Sequence, residues 1–219
     1  MAKRIGVLLS GCGYLDGAEI HEATLTLYFL DKAGAEIIPM APNKPQADVV
    51  NHQQGEPTGE TRNVLTEAAR ISRGNMKDVA QVSVDDLDAL IIPGGFGAAK
   101  NLCTFAKDGP DCEVDPGVEK LVRGMHTAKK PIGALCIAPA LIAKLLGPDH
   151  HVEVTIGNDE GTAKAIESLG AKHTNKPVEE IVVDDGNKVV TTPCYMLGPG
   201  PAAVGAGIEK LVDKVLGWL

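Results

Sequence analysis

The stretch Gly133-Ala-Leu-Cys-Ile-Ala-Pro139 decides how this chain reads. Pro131 to Leu135 is a short apolar run with the character of a buried strand, and Ala138 to Leu146 continues as a helix. Cys136 therefore falls at a strand-to-helix turn. Ala134 and Ala138 stand two residues to either side of it. A sharp, strained turn of this kind requires small residues there, because neighbouring chain segments come close. The turn presents its apical side chain and leaves the next backbone N–H, that of Ile137, free to point at an oxyanion. The positive end of the helix dipole favours a thiolate at Cys136 over a thiol.

Outward from this elbow, short apolar runs alternate with longer amphipathic stretches, as in βαβ units around a parallel sheet. Ile5 to Leu9 reads as a buried strand ending in the Gly-rich turn Ser10-Gly-Cys-Gly13. A helix is expected to start near Asp16, with Glu19 three residues later completing a capping box. Ile20, Ala23, Leu27 and Leu30 then recur at helical spacing. Ala35 to Met40 resembles a second strand, and 41–60, rich in Pro, Asn, Gln and Gly, a long polar excursion. Thr61 to Arg73 reads as helical, and Leu87 to Ile92 as a strand stopping at Pro93-Gly-Gly95. Val152 to Ile156 and Ile181 to Val183 are further expected strands. Asp184-Asp-Gly-Asn187 signals a hairpin into Lys188 to Thr192, and a final helix spans Ala202 to Leu216. No repeat or linker divides the chain, so residues 1–219 are expected to form one doubly wound, flavodoxin-like α/β sandwich.

In open α/β sheets the active site lies beyond the carboxyl ends of the strands. Three loops belong there: Ser10–Gly13, Pro93–Gly95 and the Cys136 elbow. Glycine after a buried strand lets the backbone approach a ligand, so the Gly95 N–H joins that of Ile137 as a candidate oxyanion donor. A cysteine nucleophile needs a proton-transfer partner. Glu22, one turn into the first helix at the same sheet edge, is the candidate; Glu19 competes, but its capping position explains it. A carboxyl beside a thiolate must be at least partly protonated to donate a hydrogen bond rather than repel it.

Bulk properties narrow the function classes. The 219 residues are 44% hydrophobic and 23% charged, while aromatics make up only 3%, so the core must be aliphatic. A net charge of −8 argues against nucleic acid or an anionic membrane as partner. The five cysteines (12, 103, 112, 136 and 194) include no CxxC pair. They suit neither a disulfide framework nor a zinc site, which suggests a reducing compartment and a cytoplasmic location. Met1-Ala-Lys-Arg4 runs into an apolar stretch too short for a signal sequence or a membrane span.

Together, Gly133–Pro139, Ile92-Pro-Gly-Gly95 and Asp16-Gly-Ala-Glu-Ile-His-Glu22 resemble the PfpI/DJ superfamily of class I glutamine-amidotransferase-like folds, closest to its ElbB branch. Leu9–Gly13, Asn51-His52, Glu60–Asn63, Gly94–Leu102 and Thr191-Thr-Pro193 carry the likeness nearly end to end. The resemblance implies a homodimer with Cys136 as nucleophile, Glu22 as its acid partner, and Gly95 and Ile137 as oxyanion donors. It also implies a glyoxalase of the glutathione-independent type, without cofactor or metal. Such an enzyme converts a small dicarbonyl such as glyoxal into glycolate, an activity that can also reflect deglycation of early aldehyde adducts. Many superfamily members place a histidine near the elbow cysteine, whereas Ile137 follows Cys136 here; His21 is expected on another helix face. A Cys–Glu pair without histidine implies slow turnover.

Other readings are weaker. An amidotransferase would need His-x-Glu far downstream of the cysteine, and His151-Val-Glu153 follows too closely. The run Gly11-Cys-Gly13-Tyr-Leu-Asp-Gly17 has one residue too many for GxGxxG, and His21-Glu22 lacks the second histidine of HExxH. The main alternative is a non-catalytic redox sensor or partner-binding protein using the same thiol, with Cys12 as resolving partner.

Overall fold

The computed structural model describes residues 2–219; Met1, the first residue of the polar start, lies outside it. In chain order the strands are β1 (Arg4–Leu8), β2 (Glu36–Ala41), β3 (Val50–Asn51), β4 (Glu56–Pro57), β5 (Lys77–Asp78), β6 (Ala89–Ile92), β7 (Ile132–Leu135), β8 (Glu153–Val154), β9 (Lys172–His173), β10 (Val182–Asp184) and β11 (Val189–Thr192). The helices are α1 (Ile20–Lys32), α2 (Val64–Ile71), α3 (Phe96–Lys100), α4 (Phe105–Asp108), α5 (Pro116–Thr127), α6 (Ala138–His150), α7 (Glu160–Ser168) and α8 (Pro201–Gly217).

Seven strands form the main sheet in the order β10-β11-β7-β6-β1-β2-β5, all parallel except for the β10–β11 hairpin. From β1 the chain winds one way through β2 and β5, then returns to β6 and winds the other way. The switch point thus lies between β1 and β6, where such sheets bind ligands. Strand alternation feeds two aliphatic cores. Leu90, Ile92, Ile132 and Ala134 face α5 and α6, while Ile5, Val7, Ile91 and Val190 face α1, α2 and α8. Among the described residues, no helix is long and apolar enough to cross a membrane.

Two expected elements change. Glu19 is itself the N-cap of α1, accepting from the Glu22 amide at 2.7 Å, so the helix starts after it. Asp16, the expected cap, is instead drawn into tertiary structure, where its Oδ2 accepts from the Val50 amide at 2.8 Å. The run Val152–Ile156 shrinks to β8, which pairs with β9 in a separate small sheet. Side chains take its other amides: Thr191 Oγ1 accepts from Thr155, and His173 Nε2 from Ile156.

The polar excursion contains the β3–β4 hairpin and buttresses the loop after β1. His52 Nε2 accepts from the Leu15 amide, and Lys100 pairs with Asp48 at 2.9 Å. Asn101 is buried beneath this junction, donating to the carbonyls of Ser10 and Asp16 at 2.8 Å each and accepting from the Ala47 amide.

Candidate active site

Cys136 follows β7 with φ 59°, a left-handed conformation unusual for a residue other than glycine. The elbow is held by its amide, which donates to the Thr192 carbonyl of neighbouring β11 at 2.9 Å. Pro139 stands near the start of α6, where its missing N–H leaves no helix bond unmade. Cys136 is 6% exposed and lines a cavity of about 480 Å³.

Glu22 is fully buried. Its Oε2 accepts from the Gly94 amide at 2.8 Å and its Oε1 from the Tyr195 amide at 3.2 Å, while its carboxyl lies beside the Cys136 side chain across Gly94. The backbone amides of Gly95 and Ile137 lie near enough to the Cys136 sulfur to lower its proton affinity. The four site residues expected from sequence are therefore brought together at the switch point. Gly95 adopts φ 92°, and a side chain there would run into the backbone of Gly17 and Ala18.

Electrostatics assign the resting protons. Burial, reinforced by the charge of Glu19, pushes the Glu22 carboxyl up to about 7, against the two amides that bond it. Burial likewise pushes the Cys136 thiol well above its ordinary value, the Glu22 charge adds to this, and the Gly95 and Ile137 amides only partly offset it. The expectation of a resting thiolate fails here, because desolvation outweighs the amides at the helix start. Around neutral pH the pair therefore holds a thiol beside a carboxyl that gains and loses its proton.

Two neighbours were not legible as site residues. Tyr195 places its backbone on Glu22 and its ring on the cavity wall, and its hydroxyl shares a 2.7 Å hydrogen bond with His21 Nδ1. His21 is exposed, as expected, yet reaches the site through that tyrosine. Cys194 is buried against the Cys136 backbone. Cys12 instead lies near Glu67, Arg70 and Asp16, so the thiol beside Cys136 is Cys194. His151 caps the end of α6 and bonds the Gly170 carbonyl, away from catalytic use. Among the described residues, no group of three or more His, Cys, Asp or Glu is placed to hold a metal ion.

A sheet wound both ways from β1, with an elbow cysteine against a buried helix glutamate at the switch point, defines a class I glutamine-amidotransferase-like α/β protein. The chain belongs to the DJ-1/PfpI family, which matches residues 13–195. It is 51% identical over 225 residues to the human "glutamine amidotransferase-like class 1 domain-containing protein 3, mitochondrial", covering 98% of this chain and 83% of that protein. It is 50% identical over 223 residues to the Rattus norvegicus "ES1 protein homolog, mitochondrial", covering 97% of this chain and 83% of the relative. A solved isoprenoid biosynthesis protein with an amidotransferase-like domain, from Ehrlichia chaffeensis, superposes with a TM-score of 0.93 at 39% identity, covering 99% of each chain. The mitochondrial names of the curated relatives overturn the cytoplasmic expectation. Cysteine usage reports on redox conditions, and these do not distinguish one reducing compartment from another.

Proposed function

We propose that this chain is a cofactor-independent glyoxalase that converts a 2-oxoaldehyde into a 2-hydroxy acid through Cys136. The observation that carries the reading is the Glu22 carboxyl, fully buried beside the elbow cysteine, with its proton affinity raised to about 7. A general acid–base works best when its pKa lies near the working pH.

In this mechanism Glu22 takes the Cys136 proton as the sulfur attacks the aldehyde carbon. A C–S bond forms, and the carbonyl oxygen becomes an oxyanion facing the Gly95 and Ile137 amides. Reprotonation of that oxygen gives a hemithioacetal. Glu22 then moves the proton on the former aldehyde carbon to the adjacent carbon through an enediol, leaving a thioester of the 2-hydroxy acid. Water adds to the thioester carbon, the C–S bond breaks, and the thiol is restored. Glyoxal plus water thus becomes glycolate plus a proton, with one carbon oxidised and its neighbour reduced. No external oxidant is required.

The redox-sensing alternative depends on a thiolate at rest, because the thiolate is the form that attacks peroxide. Burial of Cys136 counts against it. The discriminating experiment is glycolate formation from glyoxal by the purified chain beside Cys136→Ala and Glu22→Gln. Turnover lost in Cys136→Ala and reduced about 10²- to 10⁴-fold in Glu22→Gln is the expected result. Equal inertness of the parent and Cys136→Ala would reject the reading for glyoxal.

A further inference from the structure

Aromatic side chains are scarce in this protein: three Phe, three Tyr and one Trp. Four of these seven, Tyr14, Phe96, Phe105 and Tyr195, line the cavity over Cys136. Phe105 and Tyr195 also pack partly on the core, but core packing does not account for Tyr14 and Phe96, which are about half exposed, at 48% and 49%. Exposed apolar rings gathered at one concave site mark a surface that a ligand covers.

The wall is also held in place. The Phe96 amide donates to the Tyr14 carbonyl at 2.8 Å, and the Tyr14 ring stands edge-on to His52 at 5.4 Å. Phe105 packs on the aliphatic core, and His21 fixes the Tyr195 hydroxyl. The cavity volume of about 480 Å³ falls in the range of roughly 300–1,000 Å³ typical of sites that enclose drug-sized ligands. Glu19 is the one carboxylate among the lining residues, and none of them is Lys or Arg.

We infer that the substrate is a 2-oxoaldehyde carrying an uncharged aryl or similarly bulky apolar group on its ketone carbon. The aldehyde meets Cys136 and the apolar group lies against the four rings. The chemistry rests on the proposed glyoxalase reading, whereas the ligand preference does not. The balance is unchanged: the aldehyde carbon is oxidised to the carboxylate, the ketone carbon is reduced to a carbinol, and one water is consumed. Lys100, whose ammonium stands 5.4 Å from the Phe96 ring, is paired with Asp48 at 2.9 Å, so the carboxyls of Glu19 and Glu22 disfavour an anionic substituent.

The test compares phenylglyoxal, glyoxal and 4-carboxyphenylglyoxal with the purified full chain, reading the hydroxy acids formed. The expected kcat/KM for phenylglyoxal exceeds that for glyoxal by about 10- to 100-fold, the scale on which apolar pockets discriminate. The carboxylated analogue falls below phenylglyoxal, and the phenylglyoxal-to-glyoxal ratio drops in Phe96→Ala and Phe105→Ala. Glyoxal turnover with a ratio at or below one would overturn the inference while leaving the proposed function standing. Should no dicarbonyl be turned over, the proposed function fails and ligand binding decides the inference. By calorimetry, 2-hydroxyacetophenone is expected to bind at least about tenfold tighter than hydroxyacetone and to slow alkylation of Cys136. Equal affinities, or binding without protection of Cys136, would reject it.

Discussion

The Gly94 amide donates to Glu22 Oε2 at 2.8 Å, and a Cβ added to Gly94 would stand 2.8 Å from that same oxygen while colliding with the Cys136 Cβ. The glycine therefore sets the separation between the acid and the thiol. Gly94→Ala must push one of them away, and overpacking of this kind costs about 1–3 kcal/mol. The expected result is a lower urea midpoint together with turnover lost nearly as completely as in Cys136→Ala. A variant with native stability and native turnover would mean that the pair tolerates displacement.

Glu22 makes stability depend on pH in a definite direction. An unfolded glutamate ionises near 4.5, and the folded one only at about 7. Between these values the folded state holds the extra proton, so the contribution of Glu22 is complete below pH 4.5 and is lost as pH rises through 7. The loss amounts to something on the order of 3 kcal/mol. Chemical denaturation of the parent between pH 5 and 8 is expected to show this decline, and Glu22→Gln to flatten it. The same slope in both proteins would refute the buried-carboxyl assignment.

Asn101 lies outside the cavity, yet it secures the loop that carries α1 toward the site. Its amide nitrogen bonds two buried carbonyls, Ser10 and Asp16, and its oxygen accepts from Ala47. Asn101→Ala leaves these groups unpaired, with an expected loss of about 2–3 kcal/mol in unfolding free energy, read by chemical denaturation. Asn101→Asp is expected to do no better, because an ionised carboxylate cannot donate to either carbonyl.

These residues show what was legible in the sequence. The elbow could be read because its signals are local: an apolar run, two alanines and a helix, all within a few residues of Cys136. Gly95 and Glu22 followed from their places after a strand and within the first turn of a helix. The start of α1 was misplaced because Asp16 bonds Val50, 34 residues away, and the capping pattern carries no trace of that competitor. The Val152–Ile156 run looked like a sheet strand, but Thr191 and His173 side chains occupy the amides a ladder would have used. Tyr195 could not be tied to Glu22, 173 residues earlier, until β11 was known to lie beside β7.

Tyr195 acts through two separable groups, which makes its role open to dissection. Its backbone amide supports Glu22 Oε1, and its hydroxyl meets the exposed His21 Nδ1. Tyr195→Phe keeps the amide and the ring while removing the hydroxyl. The pH dependence of stability set by Glu22 should therefore persist, with a loss of unfolding free energy no greater than about 1 kcal/mol for one partly exposed hydrogen bond. Tyr195→Ala also keeps the amide but removes the ring, so it should leave the Glu22 transition in place while lowering the phenylglyoxal-to-glyoxal ratio. If Tyr195→Phe abolished the Glu22 transition, the side chain rather than the backbone would be holding the carboxyl. The amide would then be a bystander.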